Sequence, residues 1–226
     1  MKLKKIASLA LAGIMAVSML AGCKDGSASS EPTNPVTPVT GAAAYANENL
    51  GNLDGDIEFS DASWLNSKLN DIATNAGNFA AGDASTAYSI AWAYANATSA
   101  YQHTTMDGKL DDYMTENGYV LVTSFATTGT NTNTNTWNGV YVVSGKLDEE
   151  SAIKAVMSTV NSALRPATTT DYMPATTTIN GAVYNCEYTG EISALRVTNS
   201  SLSGESAWAV AVVINRNVEK SANTQV

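Results

Sequence analysis

The spacing of apolar residues divides the chain into helical and extended stretches before any other property is considered. Leu65, Leu69, Ile72, Ala76 and Phe79 recur at alternating steps of four and three, which is one face of a helix, and Ser60 or Asp61 stands where a cap would start it. A second helix is predicted from Asp83 to about Tyr101. Its Ile90, Tyr94, Ala97 and Tyr101 share a stripe, while Tyr88, Ala91, Trp92 and Ala95 widen the apolar surface until the helix should be buried on most sides. Beyond the acidic stretch Asp107 to Asn117 the period falls to two. Tyr119 to Ala126 and Gly139 to Ser144 are rich in Val, Tyr and Phe and are expected to pair as a hairpin. The connecting loop, Thr127 to Asn138, holds the repeat Asn131-Thr132-Asn133-Thr134-Asn135-Thr136, short polar side chains that cannot make a core, and then Trp137. It is expected to be an exposed loop tip.

Asp148 opens a further helix, because Ile153, Val156, Met157, Val160 and Leu164 fall on one face, Asp148 to Glu150 sit at the positive end of its dipole, and Pro166 stops it. A Thr-rich loop, Ala167 to Thr178, leads into three predicted strands, Ala182 to Tyr188, Glu191 to Asn199 and Ala207 to Asn215. Thr189-Gly190 and Ser203-Gly204 are placed as their turns. The last strand is apolar on both faces, with Trp208, Val210, Val212 and Ile214 on one and Ala207, Ala209, Ala211 and Val213 on the other, so it is expected at the centre of the sheet. The order ααββαβββ implies an α+β domain: an antiparallel sheet of about five strands packed by two or three helices. Alternating βα units are missing from this order, which excludes the doubly wound architecture of most nucleotide-binding and many solute-binding proteins.

The N-terminus follows a different logic. Lys2, Lys4 and Lys5 are followed by the uncharged apolar run Ile6 to Leu20, too short to cross a bilayer comfortably and ending at the small residues Ala21 and Gly22. Leu20-Ala21-Gly22-Cys23 resembles the lipobox of bacterial lipoproteins. That resemblance covers residues 1–23 and implies cleavage before Cys23 after its thiol has received diacylglycerol, with the protein held on the extracytoplasmic face of a bacterial membrane. Each buried methylene of such acyl chains adds about 0.8 kcal/mol of membrane affinity, so two or three chains hold a water-soluble body durably. From Lys24 to about Ala44 the chain is rich in Ser, Pro, Thr and Gly and reads as a flexible tether. The expected organisation is a signal peptide over 1–22, lipidated Cys23 and tether over 23–44, and a single α+β domain over 45–226.

Charge then narrows the partners. The chain carries 12 Lys and Arg against 21 Asp and Glu, and loss of the leader would take three of the lysines and none of the acids, for a mature net charge of −12. Such a surface repels phosphate backbones and anionic headgroups, which argues against nucleic acid and against a second, electrostatic membrane contact. With Cys23 committed to lipid, Cys186 is left without an intrachain partner and no disulfide framework is available.

Candidate chemistry is sparse. The single histidine, His103, is expected at the C-terminal end of the second helix, where the dipole favours it structurally. Cys186 alternates onto the same face as Ala182, Tyr184 and Tyr188, a core face that would leave its thiol inert. Asn52, Asp54, Gly55, Asp56, Glu58 and Asp61 have the oxygen density of a calcium loop, but with Gly55 at the sharp turn the first ligand position would be Leu50, and an acidic turn accounts for the same residues. No metal and no cofactor is therefore assigned. The adjacent pairs Asp111-Asp112 and Glu149-Glu150 point in different directions on a helix and make a poor acid and base.

The function expected from these readings is a lipid-anchored surface protein whose domain binds a cell-wall polymer, a glycan or another protein without catalysis, with the Asn-Thr loop and Trp137 as the candidate contact and packing of Trp137 against the sheet as the alternative for that residue. A wall or glycan hydrolase using unassigned carboxylates, about 5 to 9.5 Å apart across a cleft, is the first alternative. A transporter's solute-binding component is the second, and the strand order counts against it. The helix followed by an antiparallel sheet is also similar in topology to the globular part of pilin-like proteins, while the lipobox departs from the prepilin signal.

Overall fold

The structure is a computed structural model and describes residues 36–38, 41–80, 84–125, 134–164, 173–199 and 204–221, the side chain of Asn78 and those of 36–38 excepted. The class is α+β, as the pattern predicts. In chain order the elements are β1 Val36–Pro38, α1 Ala42–Glu48, β2 Phe59–Asp61, α2 Ser63–Asn75, α3 Gly77–Ala80, α4 Ile90–Asn96, β3 Tyr101–Gln102, α5 Thr104–Glu116, β4 Asn135–Ser144, α6 Glu149–Leu164, β5 Thr176–Ile179, β6 Ala182–Thr198 and β7 Ser206–Lys220.

One sheet organises everything else. β7 lies between β6 and β4 as expected, paired antiparallel from Tyr184↔Lys220 to Thr198↔Ser206 on one side and from Asn135↔Arg216 to Ser144↔Ala207 on the other. Three short strands share the outer edge of β6. β5 and β1 run antiparallel to it and β2 runs parallel, so the sheet is mixed rather than wholly antiparallel. β3 pairs with the outer edge of β4.

Alternation along the central strands sends side chains to two cores. Trp208, Val210, Val212 and Ile214 join Trp137, Tyr141, Val143, Ile192 and Ala194 under α1 and α6. Ala207, Ala209, Ala211 and Val213 join Val140, Val142, Leu195 and Val197 under α2, α4 and α5. The alanines fit the second face because three helices crowd it. Helix α6 is built as its pattern predicts: Ile153, Val156, Met157, Val160 and Leu164 are all buried, and Asp148 Oδ1 accepts the Ser151 N–H at 2.9 Å as its cap.

Four sequence expectations are corrected. The helix predicted from Asp83 is α4 alone; Asp83 is outside the described residues, Tyr88 has φ 62°, and Ser89 Oγ accepts the Trp92 N–H at 3.1 Å, so the helix starts at Ile90. The acidic stretch 107–117 is not a connection but most of α5, whose Met106, Leu110 and Met114 are fully buried. The predicted hairpin is absent: Leu121 makes only a parallel bridge to Thr136, and the partners of β4 are β7 and β3. Finally, the turn placed at Thr189-Gly190 is the middle of the unbroken strand β6. Gly190 is there for proximity, because a Cβ on it would lie 2.5 Å from Phe59 Cδ1. The actual hairpin turn is Asn180-Gly181, with φ 50° and 81°, between β5 and β6; Asn-Gly favours such turns because both central residues need positive φ.

Two smaller boundaries also move. Ser60 and Asp61 lie in β2 rather than capping α2, and Asp61 Oδ1 instead accepts the Ala43 N–H of α1 at 3.2 Å. Residue 45, the expected start of the domain, falls inside α1, where Ala42, Ala43 and Ala46 are buried.

Candidate functional site

The outer edge of β4 is where the fold commits its polar chemistry. β3 covers only Tyr141 and Val142, and α5 closes the next positions with side chains. The His103 N–H donates to Val140 O at 2.7 Å, Val140 N–H donates to Asp107 Oδ1 at 3.0 Å, and Asn138 Nδ2 donates to Asp111 Oδ1 at 2.8 Å. A free strand edge is a template for unwanted pairing, and the two bonds to the Val140 backbone remove it there. Gln102 Nε2 donates to the other Asp107 oxygen at 2.7 Å. Burial outweighs both hydrogen bonds and, with Asp111 nearby, pushes the Asp107 carboxyl up to about 6. The same carboxylate adds to burial in raising the Tyr141 phenol well above its ordinary range.

His103 is the N-cap of α5, not the C-terminal residue of the helix before it. Its Nδ1 accepts the Met106 N–H at 3.3 Å, which places the proton of the neutral imidazole on Nε2. Burial holds its pKa below 6.5. Nε2 is buried and makes no hydrogen bond. A buried donor left in this condition costs about 1–3 kcal/mol. The ring is flanked by Phe79, with centroids 5.8 Å apart, and by Tyr88 at 5.9 Å.

Over this histidine sits a cluster of rings. Tyr88 and Trp92 are 4.9 Å apart at 68°, Trp92 and Tyr101 5.3 Å apart at 86°, and Tyr88 and Tyr101 6.2 Å apart at 43°. These are edge-to-face or tilted contacts, each worth about 0.5–1.5 kcal/mol beyond burial. Tyr88 and Trp92 are partly exposed, and Tyr101 is 40 % exposed. Tyr88 reaches its place only through a left-handed backbone, φ 62°, a conformation costing a residue with a Cβ about 1–3 kcal/mol. From Ala84 to Met106 there is no Asp, Glu, Lys or Arg. Charge approaches this stretch through Lys146, 4.5 Å over the Tyr94 ring, and through Asp107 on Gln102.

A second aromatic group lies on the same side of the sheet. Trp64 is stacked with Tyr113 at 6.0 Å and with Tyr119 at 6.1 Å. Here the polar tips and faces already have partners: Trp64 Nε1 donates to Glu191 Oε1 at 3.2 Å and Lys68 Nζ lies 4.7 Å over Tyr113. Next to it an open groove of about 170 Å³ between α2 and α5 is lined by both signs of charge, Lys68, Lys109, Asp71, Asp112 and Glu116 among them.

The residues singled out in the sequence are dispersed. Trp137 is 8 % exposed, inside β4 opposite Ile214, and is therefore core rather than a loop contact. The last residues of the Asn-Thr repeat are also in β4, where Thr136 Oγ1 and Asn215 Oδ1 are 2.7 Å apart and Asn135 Oδ1 accepts Arg216 Nη2 at 2.6 Å; Asn131 to Asn133 are outside the described residues. Cys186 is buried beside Tyr188, and burial pushes its thiol up. Cys23 is outside the described residues. Asp111 is bonded to Asn138, Asp112 faces the α2–α5 groove, and Glu149 and Glu150 begin α6, with burial and Asp61 raising the Glu149 carboxyl. Among the described residues, no group of three or more His, Cys, Asp or Glu is placed to hold a metal ion. The Tyr88, Trp92 and Tyr101 cluster was missed as a surface because a helix running to Tyr101 would bury it.

No family model, curated protein or solved structure matches the chain.

Proposed function

We propose that this chain is a lipoprotein held on the extracytoplasmic face of a bacterial membrane, whose α+β body is a non-catalytic recognition domain. The observation that carries the anchor is the sequence Leu20-Ala21-Gly22-Cys23 behind a basic start and an uncharged apolar run. Among the described residues no helix is long and apolar enough to cross a membrane. The acidic balance suits a body standing off an anionic surface on its tether. Recognition, as opposed to catalysis, is supported by the kind of group left at the surface: partly exposed Trp and Tyr with hydroxyl and amide neighbours, and carboxylates committed to structural bonds, Asp107 on the Val140 N–H and Asp111 on the Asn138 side chain.

The test is Cys23→Ser expressed in a bacterial host beside the wild type, with fractionation and metabolic labelling by a fatty acid. Wild type is expected in the membrane fraction, labelled and released by detergent alone; the variant is expected unlabelled. Equal labelling of the two would remove the basis of the proposal.

A further inference from the structure

We infer that the surface formed by Tyr88, Trp92 and Tyr101 is a binding site for an uncharged polysaccharide. The inference deepens the recognition reading and names its ligand class. Three observations converge on the cluster. Its rings are partly exposed, Tyr101 by 40 %, and leave apolar ring surface open to the C–H faces of a sugar. Tyr88 is held there by a left-handed backbone, φ 62°. Beneath it, His103 is 2 % exposed and carries an Nε2 donor with no hydrogen-bond partner, next to the Tyr88 ring. Displacement of that ring by a ligand would open the donor to a ligand hydroxyl.

Charge selects among ligands. The whole chain has a net charge of −9, so polyanions are repelled, yet Ala84 to Met106 carries no acid and no base. An uncharged ligand can be desolvated here without leaving an ion unpaired. The exposed residues beside the rings in sequence include Thr98, Ser99 and Thr104, whose hydroxyls are able to donate to and accept from sugar hydroxyls. A protein partner would more commonly be met by Arg among the aromatics, and this stretch has none.

The experiment is affinity electrophoresis of the detergent-extracted full chain through gels containing hydroxyethyl cellulose, soluble starch, galactomannan or arabinoxylan, with polygalacturonate as the charged comparison. Retardation in at least one neutral gel is expected, weakened about tenfold or more by Trp92→Ala. Tyr101→Ala, which truncates a side chain exposed enough to leave the core alone, is expected to do the same with unchanged circular dichroism. Trp64→Phe, in the other aromatic group, is expected to bind as wild type. Migration unaffected by all four neutral polymers, retardation by polygalacturonate alone, or binding that survives Tyr101→Ala would each overturn the site. These failures would leave fatty-acid labelling at Cys23 intact and so are separable from failure of the anchor.

Discussion

Replacing Gly190 with Ala tests the packing logic of the long strand. The added Cβ would lie 2.5 Å from Cδ1 and 2.6 Å from Cε1 of Phe59, closer than carbon atoms tolerate. Phe59 cannot swing away: it is 3 % exposed, β2 pairs it with Gly190, and Asn47 clamps its backbone through bonds of 2.8 Å to the N–H and 2.9 Å to the carbonyl. Overpacking of this kind costs about 1–3 kcal/mol. Ala is favoured over Gly in a strand by about 0.5–1 kcal/mol, so the net loss is on the order of 1–2 kcal/mol. For a chain of this size that lowers the melting temperature by about 2 to 8 °C. Urea denaturation of Gly190→Ala, Phe59→Ala and the double variant measures it. Phe59→Ala alone removes a buried ring and costs about 3–5 kcal/mol. In that background Gly190→Ala should become neutral or stabilising, and the change of sign is the decisive readout. If Gly190→Ala destabilises equally with and without the Phe59 ring, the glycine serves the backbone rather than the contact and the reasoning fails.

Three further outcomes follow from the groups around α5 and β4. Asp107 has a folded-state pKa of about 6 against 3.8 for a free aspartate, so keeping it ionised opposes folding above pH 6; that penalty disappears as pH falls through 6 towards 3.8. Asp107→Asn, with its Oδ1 kept on the Val140 N–H and the exposed Gln102 amide turned to accept from its Nδ2, is expected to lose the corresponding slope in denaturant midpoints against pH; an unchanged slope contradicts it. His103 acts in the opposite sense, since its folded pKa lies below 6.5 and the stability it contributes is lost as pH falls through that value. His103→Asn keeps a cap acceptor and should flatten this acid-side loss; persistence of the full loss would place the titration elsewhere. Trp137→Ala is expected to cost about 3–5 kcal/mol by urea denaturation, because the ring is core, and a variant as stable as wild type would return Trp137 to the surface.

Where one physical cause dominated a segment, the sequence was a good guide to it. Helix α6 has five apolar residues on one face, an acidic first turn and a cap, and all agree; β7 is apolar on both faces because both are covered. Helix α5 was hidden because Asp107, Gly108, Asp111 and Asp112 suggest a solvated loop. Its Met106, Leu110 and Met114 do recur every fourth residue, and two of the acids that obscured them bond to residues of β4, Asp107 to the Val140 N–H and Asp111 to the Asn138 side chain. Strand β6 was cut in two at Gly190, where the requirement comes from Phe59, distant in sequence. The aromatic surface was legible as residue types and not as a place. Tyr88, Trp92 and Tyr101 belong to a turn, a helix and a strand, and only the left-handed backbone at Tyr88 and the docking of β3 on β4 bring them together.

The account rests on how the chain begins in the cell, and intact-mass measurement of the native protein extracted from membranes reads that directly. A polypeptide starting at Cys23 with the added mass of a diacylglyceryl group is the predicted result. A species that retains Met1, or one that starts at residue 23 with an unmodified thiol, would contradict it.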